Sequence, residues 1–159
     1  MRTTTRLLAL VLALPAVWVL AACGPGAPSP SPSAAPSLEA TVAAFQTLSG
    51  LTVPPAAQGV TVGTVTDPSG VPAYRVDFTL PSAQVDAFCT EGGLQAPLDV
   101  YTVPDYVRQR FGYDGDGAGG VKIAEGGLPS RVTVQRTVLA TGTDTKTATV
   151  RVYALEQAR

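Results

Sequence analysis

The sequence predicts an α+β domain in which one antiparallel sheet of four to five strands, built from two hairpins, has its helices packed on one face. Three observations lead to this fold class. Two pairs of segments rich in Val and Thr alternate apolar and polar residues, which is typical of half-buried strands. Segments with helical spacing precede each pair, so the order is helix, hairpin, helices, hairpin. The region that carries these patterns, residues 38–159, is long enough to bury a single core.

The first helix is predicted to begin after an N-cap Ser37 and to end at Gly50. Its apolar face consists of Leu38, Val42, Phe45 and Leu48. A strand over residues 59–66 follows, and the next four residues, Asp-Pro-Ser-Gly at 67–70, suit a type I turn. The returning strand places Tyr74, Val76, Phe78 and Leu80 on one side and Arg75, Asp77 and Thr79 on the other. We therefore expect a hairpin with one face toward solvent.

The second half begins with a helix that Pro81 and Ser82 open and that ends at Gly92. Its buried stripe is predicted to contain Val85, Phe88 and Cys89. Residues 105–111 predict a short helix, residues 112–120 a loop, and residues 121–124 a short edge strand. The last hairpin pairs residues 131–140 with residues 146–155, whose Ala148, Val150, Val152 and Ala154 share one face.

The N-terminus has the layout of an export signal. Arg2 and Arg6 precede an apolar run over residues 7–20, and small residues follow it. The apolar segment 7–22 is shorter than the ~20 residues that a membrane-spanning helix needs. An uncleaved membrane span is the alternative interpretation.

The segment Leu20-Ala21-Ala22-Cys23 resembles the lipobox of bacterial lipoproteins. The resemblance implies that residues 1–22 are a cleaved signal peptide and that Cys23 becomes the lipid-bearing N-terminus. Two or more acyl chains hold a protein at a membrane stably, whereas one chain anchors it only marginally. An ordinary secretory signal with a coincidental cysteine is the alternative.

Residues 23–37 are predicted to form the lipidated cysteine and a disordered tether. Residues 24–37 contain only Pro, Ser, Ala and Gly, a composition that favours extended polyproline II and not a packed core. At ~3.1 Å per residue the tether would reach about 40 Å. Lipobox and tether together resemble small actinobacterial lipoproteins of unknown function, and this resemblance implies the extracytoplasmic face of the cell membrane, without an activity.

Composition excludes several kinds of site. The chain contains no histidine, which removes Ser-His and Cys-His nucleophile pairs and imidazole metal sites. It has 11 basic and 12 acidic residues, a balance that argues against a nucleic-acid partner. We find no phosphate or dinucleotide fingerprint and expect no cofactor. Asp114 and Asp116 superficially resemble a calcium loop, but too few oxygen ligands accompany them and we expect no metal.

The helix at residues 105–111 and the loop after it supply the best candidate for a ligand or partner surface. Arginine and tyrosine are enriched at binding hot spots. The candidate residues are Tyr106, Arg108, Arg110 and Tyr113. The alternative is an amphipathic helix that packs Val107 and Phe111 inward and leaves its arginines in water.

Two further residues invite a structural interpretation. Cys89 has no histidine partner and lies on an apolar stripe, so we expect it in the core. Arg136 shares strand parity with Val134 and Val138. It should therefore lie at a bulge, pair with a carboxylate such as Asp77, or face a pocket.

These observations favour a non-enzymatic, lipid-anchored binding or accessory module of the cell envelope. Its partner would be an envelope protein, a wall polymer or a small apolar ligand. The alternatives are a wall-directed hydrolase that uses an Asp/Glu pair and a carrier of an apolar ligand.

Overall fold

Six strands form one antiparallel sheet in the computed structural model, which describes residues 38–157. The strands are β1 (Gln58–Thr66), β2 (Pro72–Pro81), β3 (Leu98–Asp99), β4 (Val121–Leu128), β5 (Arg131–Thr141) and β6 (Thr147–Glu156). Their order across the sheet is β1-β2-β6-β5-β4-β3. The helices are α1 (Val42–Ser49), α2 (Val85–Glu91) and α3 (Asp105–Phe111), and a 3₁₀ turn at Ser82–Gln84 leads into α2. The α+β class is confirmed.

The predicted strand number was too low. Strand β3 consists of two residues and leaves no alternation to recognise in the sequence. Residues 121–124, predicted to be an edge strand, belong to the longer β4, which lies between β5 and β3. The second half of β4 was not predicted because it contains Gly126 and Gly127, and glycine is depleted in strands.

Helix α1 begins later than predicted. The Thr41 backbone is extended and its Oγ1 accepts a hydrogen bond from the Ala44 amide, so Thr41 is the N-cap. Ser37, the predicted cap, lies outside the described residues. The predicted end is confirmed: Gly50 follows the helix with φ 67°, a left-handed conformation that glycine adopts without steric cost.

The first hairpin closes at the predicted turn. The Gly70 amide donates to the Asp67 carbonyl at 2.8 Å. The Asp67 carboxylate accepts hydrogen bonds from the Ser69 hydroxyl and the Ser69 amide, which lower the pKa of Asp67, and Tyr153 Oη also donates to it at 3.0 Å. The turn is thus tied to β6 as well as to its own strands.

Both faces of the sheet carry helices, so the prediction of helices on a single face was wrong. On what we call the first face, Phe45 of α1 and Phe88 of α2 pack in one buried cluster with Val152 of β6. On the second face, Phe111 of α3 packs edge-on against Tyr153, the next residue of β6, with ring centroids 6.1 Å apart. Successive residues of a strand point to opposite faces, so α3 lies opposite α1 and α2.

Helix α3 has the predicted bounds, and β5 and β6 lie within one residue of theirs. Val85, Phe88 and Cys89 are buried, as are the four predicted residues of β6.

Among residues 38–157, no helix has the length and hydropathy to cross a membrane.

Candidate functional site

A groove of about 770 Å³ opens at one end of the sheet. Because the strands are antiparallel, the β1–β2 turn, the β4–β5 turn and the end of β6 all meet there. We call it the end groove. Its lining consists of Leu38, Leu48, residues 70–72, residues 130–133, Glu156 and Gln157.

A break in strand register shapes one wall of the end groove. Gly127 pairs with Gln135, but the next residue, Leu128, pairs with Arg131. The residues of β5 between these partners therefore bulge away from β4. Val132 lies in this bulge and is 71% exposed, a large fraction for an apolar side chain.

The polar groups of the end groove lie along the same wall. Arg131 forms an ion pair with Glu156, and Thr133 Oγ1 donates to Glu156 Oε1 at 3.2 Å. The hydrogen bond from Arg131 lowers the pKa of Glu156, so this carboxylate is ionised near neutrality. The groove thus combines apolar side chains from Leu38, Leu48 and Val132 with a fixed, charged polar group.

The candidate surface on α3 is drawn into contacts within the domain. Tyr106 Oη donates to Glu125 Oε2 at 2.8 Å, which raises the pKa of Tyr106. Arg110 donates to Thr137 Oγ1 at 2.8 Å, and its guanidinium lies 5.0 Å from the ring centroid of Tyr153. Both contacts bind α3 to the second face.

The two other candidate residues are also engaged. Arg108 donates to the Gly115 carbonyl at 3.4 Å, and the Arg151 guanidinium lies 5.7 Å from the centroid of the Tyr113 ring. Val107 and Phe111 are buried beneath the helix. This packing matches the amphipathic-helix alternative for Val107 and Phe111, but the two arginines contact the domain and are not left in water. A partner role for the four side chains stays a prediction.

Arg136 lies in the first-face core and is only 1% exposed. Each of its five N–H donors reaches a backbone carbonyl. The acceptors are Ser49, Gly92, Gly93, Gly126 and Gly127, at 3.2, 2.7, 3.3, 3.4 and 2.6 Å.

Neither a bulge nor a carboxylate partner describes Arg136. It pairs in register with Gly126, it has no carboxylate partner among the described residues, and Asp77 lies on the second face. It does not line the end groove or the polar recess described below. Instead it caps two helices, because Ser49 ends α1 and Gly92 follows α2. A cation is favoured at helix C-termini, where unpaired carbonyls concentrate negative charge. No pattern in the sequence marks this role.

Cys89 is fully buried, which confirms the prediction of a core residue. Burial, with a smaller contribution from the charge on Asp86, raises the pKa of its thiol to about 12. A thiol in such surroundings has almost no thiolate at neutral pH and is a poor nucleophile.

A second recess, of about 600 Å³, is polar and lies beside the loop 112–120. Asp99, Asp116 and Asp144 contribute its carboxylates, and all three side chains are exposed. Asp116 Oδ1 accepts a hydrogen bond from the Ala118 amide at 2.9 Å. Within residues 38–157, no cluster of three or more Cys, Asp or Glu side chains is arranged to hold a metal ion.

Sequence reasoning missed the end groove, since its walls come from two turns, the end of β6 and residues before and at the end of α1, which are far apart in the chain. The exposed Val132 is the one local signal, and it depends on a register shift that the sequence does not reveal.

Comparison with protein-family models, with curated proteins and with solved structures found no match to this chain.

Proposed function

We propose that this chain is a lipid-anchored, extracytoplasmic binding module that holds an amphipathic small molecule in the end groove. The single observation that carries the proposal is the groove itself. Its volume lies within the ~300–1,000 Å³ that is usual for small-molecule sites, and such sites combine mostly apolar walls with a few fixed polar groups.

The chemistry of the lining supports a ligand with an apolar body and a polar end. Leu38, Leu48 and Val132 would cover the apolar part. The ion pair of Arg131 with Glu156 lies beside them and offers both a donor and an acceptor. Binding an apolar chain there would remove apolar surface from water, worth roughly 25 cal/mol for each Å² before the cost of association is subtracted.

The proposed anchor favours a ligand that comes from the membrane. The proposed tether, residues 24–37, directly precedes Leu38 in the chain, and Leu38 lies in the groove wall. An anchored domain would meet amphipathic lipids, whose apolar chains and polar ends match the lining of the groove.

The acidic recess gives less support to a wall hydrolase. A glycosidase acid works from apolar, water-poor surroundings that favour its protonated form. Asp99, Asp116 and Asp144 are all exposed to solvent. The cysteine and the buried arginine also lie in the core, away from any substrate.

Photo-crosslinking in cells tests the binding proposal on the full chain. We would place p-benzoylphenylalanine at Val132 and, as a matched control, at Leu98, because these side chains are 71% and 72% exposed. We expect the Val132 position to capture a small-molecule adduct, visible as a discrete added mass, and the Leu98 position to capture none. No adduct, or the same adduct at both positions, would overturn the proposal.

The anchor is tested separately. Cys23→Ser removes the thiol that the lipid would need, so we expect the variant to leave the membrane pellet while the unaltered chain remains in it. A variant that sediments with membranes as firmly as the unaltered chain would show that the anchor is wrong.

A further inference from the structure

We propose that strand β1 is a self-association surface: it pairs antiparallel with β1 of a second copy, which joins the two sheets across a twofold axis. We call the outer side of β1, residues 58–66, the β1 edge. The inference is independent of the end groove, which lies at one end of the sheet and not along this edge.

The β1 edge presents unpaired backbone groups. The Asp67 amide donates to the Val71 carbonyl at 2.8 Å, and hydrogen-bonded pairs alternate along an antiparallel ladder. The register of β1 with β2 therefore directs the N–H and C=O groups of Val62, Thr64 and Thr66 outward. Among residues 38–157, these groups have no hydrogen bond to any other segment.

The β1 edge has few of the features that usually protect an edge strand. Natural edges are short, charged, bulged, interrupted by proline or covered. Strand β1 has a register shift between Gln58 and Thr61, but its regular part, residues 61–66, has no bulge, no charge and no proline, and none of its residues is buried. The opposite edge is protected, since β3 has only two residues and one of them is Asp99. The contrast between the two edges singles out β1.

The composition of β1 suits a second copy in particular. In an isologous pair each strand faces its own sequence, so a charged residue near the twofold axis would meet a like charge. Strand β1 contains only Gln, Gly, Val and Thr and creates no such repulsion. Val62 packs at the rim of the first-face cluster, and Val60 beside it is 37% exposed. Pairing near Thr64 would bring each Val62 against β1 of the other copy and remove more of this side chain from water.

The geometry is compatible with two copies on one membrane. Antiparallel pairing within one sheet requires a twofold axis perpendicular to the sheet, which keeps the first faces of both copies on the same side. Leu38, the first described residue, packs against the first-face cluster, so Leu38 of both copies would lie on that side. If the proposed anchor holds, confinement to one surface also raises the effective concentration of the partner.

Charge reversal at Thr64 tests the proposal. This side chain is exposed and lies near the middle of the regular part of β1, residues 61–66. We would express two differently tagged full chains in one cell, solubilise the membranes and measure how much of one tag co-purifies with the other. Two Thr64→Lys chains, or two Thr64→Glu chains, should lose at least tenfold relative to the unaltered pair. A Thr64→Lys chain with a Thr64→Glu chain should recover to within about twofold.

The opposite-charge pair shows that both variants fold, because recovery needs two native edges. Leu98→Lys, at the other edge, is the matched control and should leave co-purification unchanged. The proposal fails if the two Lys chains co-purify as well as the unaltered pair. It also fails if the mixed pair is lost as completely as the like-charged pairs, or if the unaltered chains do not co-purify. None of these outcomes bears on Val132 or on ligand capture in the end groove.

Discussion

Replacing Arg136 should be the most damaging single substitution on the first face. Arg136→Met keeps much of the apolar stem and removes the guanidinium, so five carbonyls lose a hydrogen bond. The bond to Ser49 is buried and the other four are part-buried. Three of these carbonyls, at Ser49, Gly92 and Gly93, are the unpaired acceptors at the ends of α1 and α2.

The expected loss is about 2–4 kcal/mol, because a buried carbonyl left without a donor costs ~1–3 kcal/mol and the part-buried carbonyls can regain hydrogen bonds to water. Five separate losses of ~1.5–3 kcal/mol would together be as large as the whole free energy of unfolding of most domains, about 5–15 kcal/mol, so we do not treat the five hydrogen bonds as additive. Arg136→Lys should cost about half as much, since an ammonium group has three donors for five acceptors.

Urea unfolding of the purified full chain, followed by far-ultraviolet circular dichroism, measures the effect. With a denaturant slope near ~1.5 kcal/mol/M, a loss of about 3 kcal/mol lowers the midpoint by about 2 M. Arg131→Met is the matched control, because its ion pair with Glu156 is exposed and worth ~0–1 kcal/mol. If Arg136→Met shifts the midpoint no more than Arg131→Met does, the hydrogen bonds from Arg136 to the five carbonyls do not hold the helices, and the prediction is wrong.

Three further predictions concern other parts of the domain. Gly92→Ala should cost ~1–3 kcal/mol in the same urea assay, because a Cβ there would overlap a methyl group of the buried Leu51; an unchanged midpoint would contradict this. The thiol of Cys89, whose pKa burial raises to about 12, should resist alkylation by iodoacetamide at pH 8 until urea unfolds the chain, and rapid labelling of the native chain would show that the thiol is accessible. The Ser69 hydroxyl lowers the folded-state pKa of Asp67 below its ordinary 3.8, so this carboxylate stabilises the fold above that pH and less as the pH falls through its folded pKa. Asp67→Asn should therefore lower the melting temperature at pH 7, and the difference should shrink toward pH 2; a difference independent of pH would disprove the linkage.

Most of the individual strands, helices and turns could be predicted because they depend on short-range patterns in the sequence. Alternation along β2 and β6 identifies the buried side of each strand, and the Asp-Pro-Ser-Gly turn at residues 67–70 joins β1 to β2 as expected. Helical spacing places Phe88 and Cys89 in the core. Each of these features depends on residues within about ten positions of one another.

The arrangement of the elements could not be predicted in the same way. The apolar stripe of α3 shows that Val107 and Phe111 are buried, but not which face of the sheet they contact. The residues of β6 that meet α3 include Tyr153, whose ring accepts both the Phe111 edge and the Arg110 guanidinium. Apolar residues at both parities of a central strand were the available signal for helices on two faces.

Arg136 was unpredictable for a related reason. Its partners are backbone carbonyls, which every residue carries, so no side-chain type records the contact in the sequence. A carboxylate partner would have been the natural expectation for a buried charge, and the two helix ends replace it with partial charges. The candidate surface on α3 is the opposite case. The sequence marked Arg110 and its neighbours as a binding surface, but Arg110 donates to Thr137 within the domain.

The buried guanidinium also connects the core with the end groove. Leu48 lines the groove and directly precedes Ser49, whose carbonyl accepts a hydrogen bond from Arg136. The Gly127 carbonyl also accepts from Arg136, and Gly127 lies three residues before Ser130 in the opposite groove wall. Helix α1 has eight residues, fewer than the ~12–15 that make an isolated helix even marginally stable in water, so its position depends on what holds its ends. A hydrophobic side chain at position 136 could fill the space, but it could not pair with carbonyls from α1, α2 and β4 at once. We therefore infer that the Arg136 guanidinium holds the α1 wall of the end groove against the β4–β5 wall.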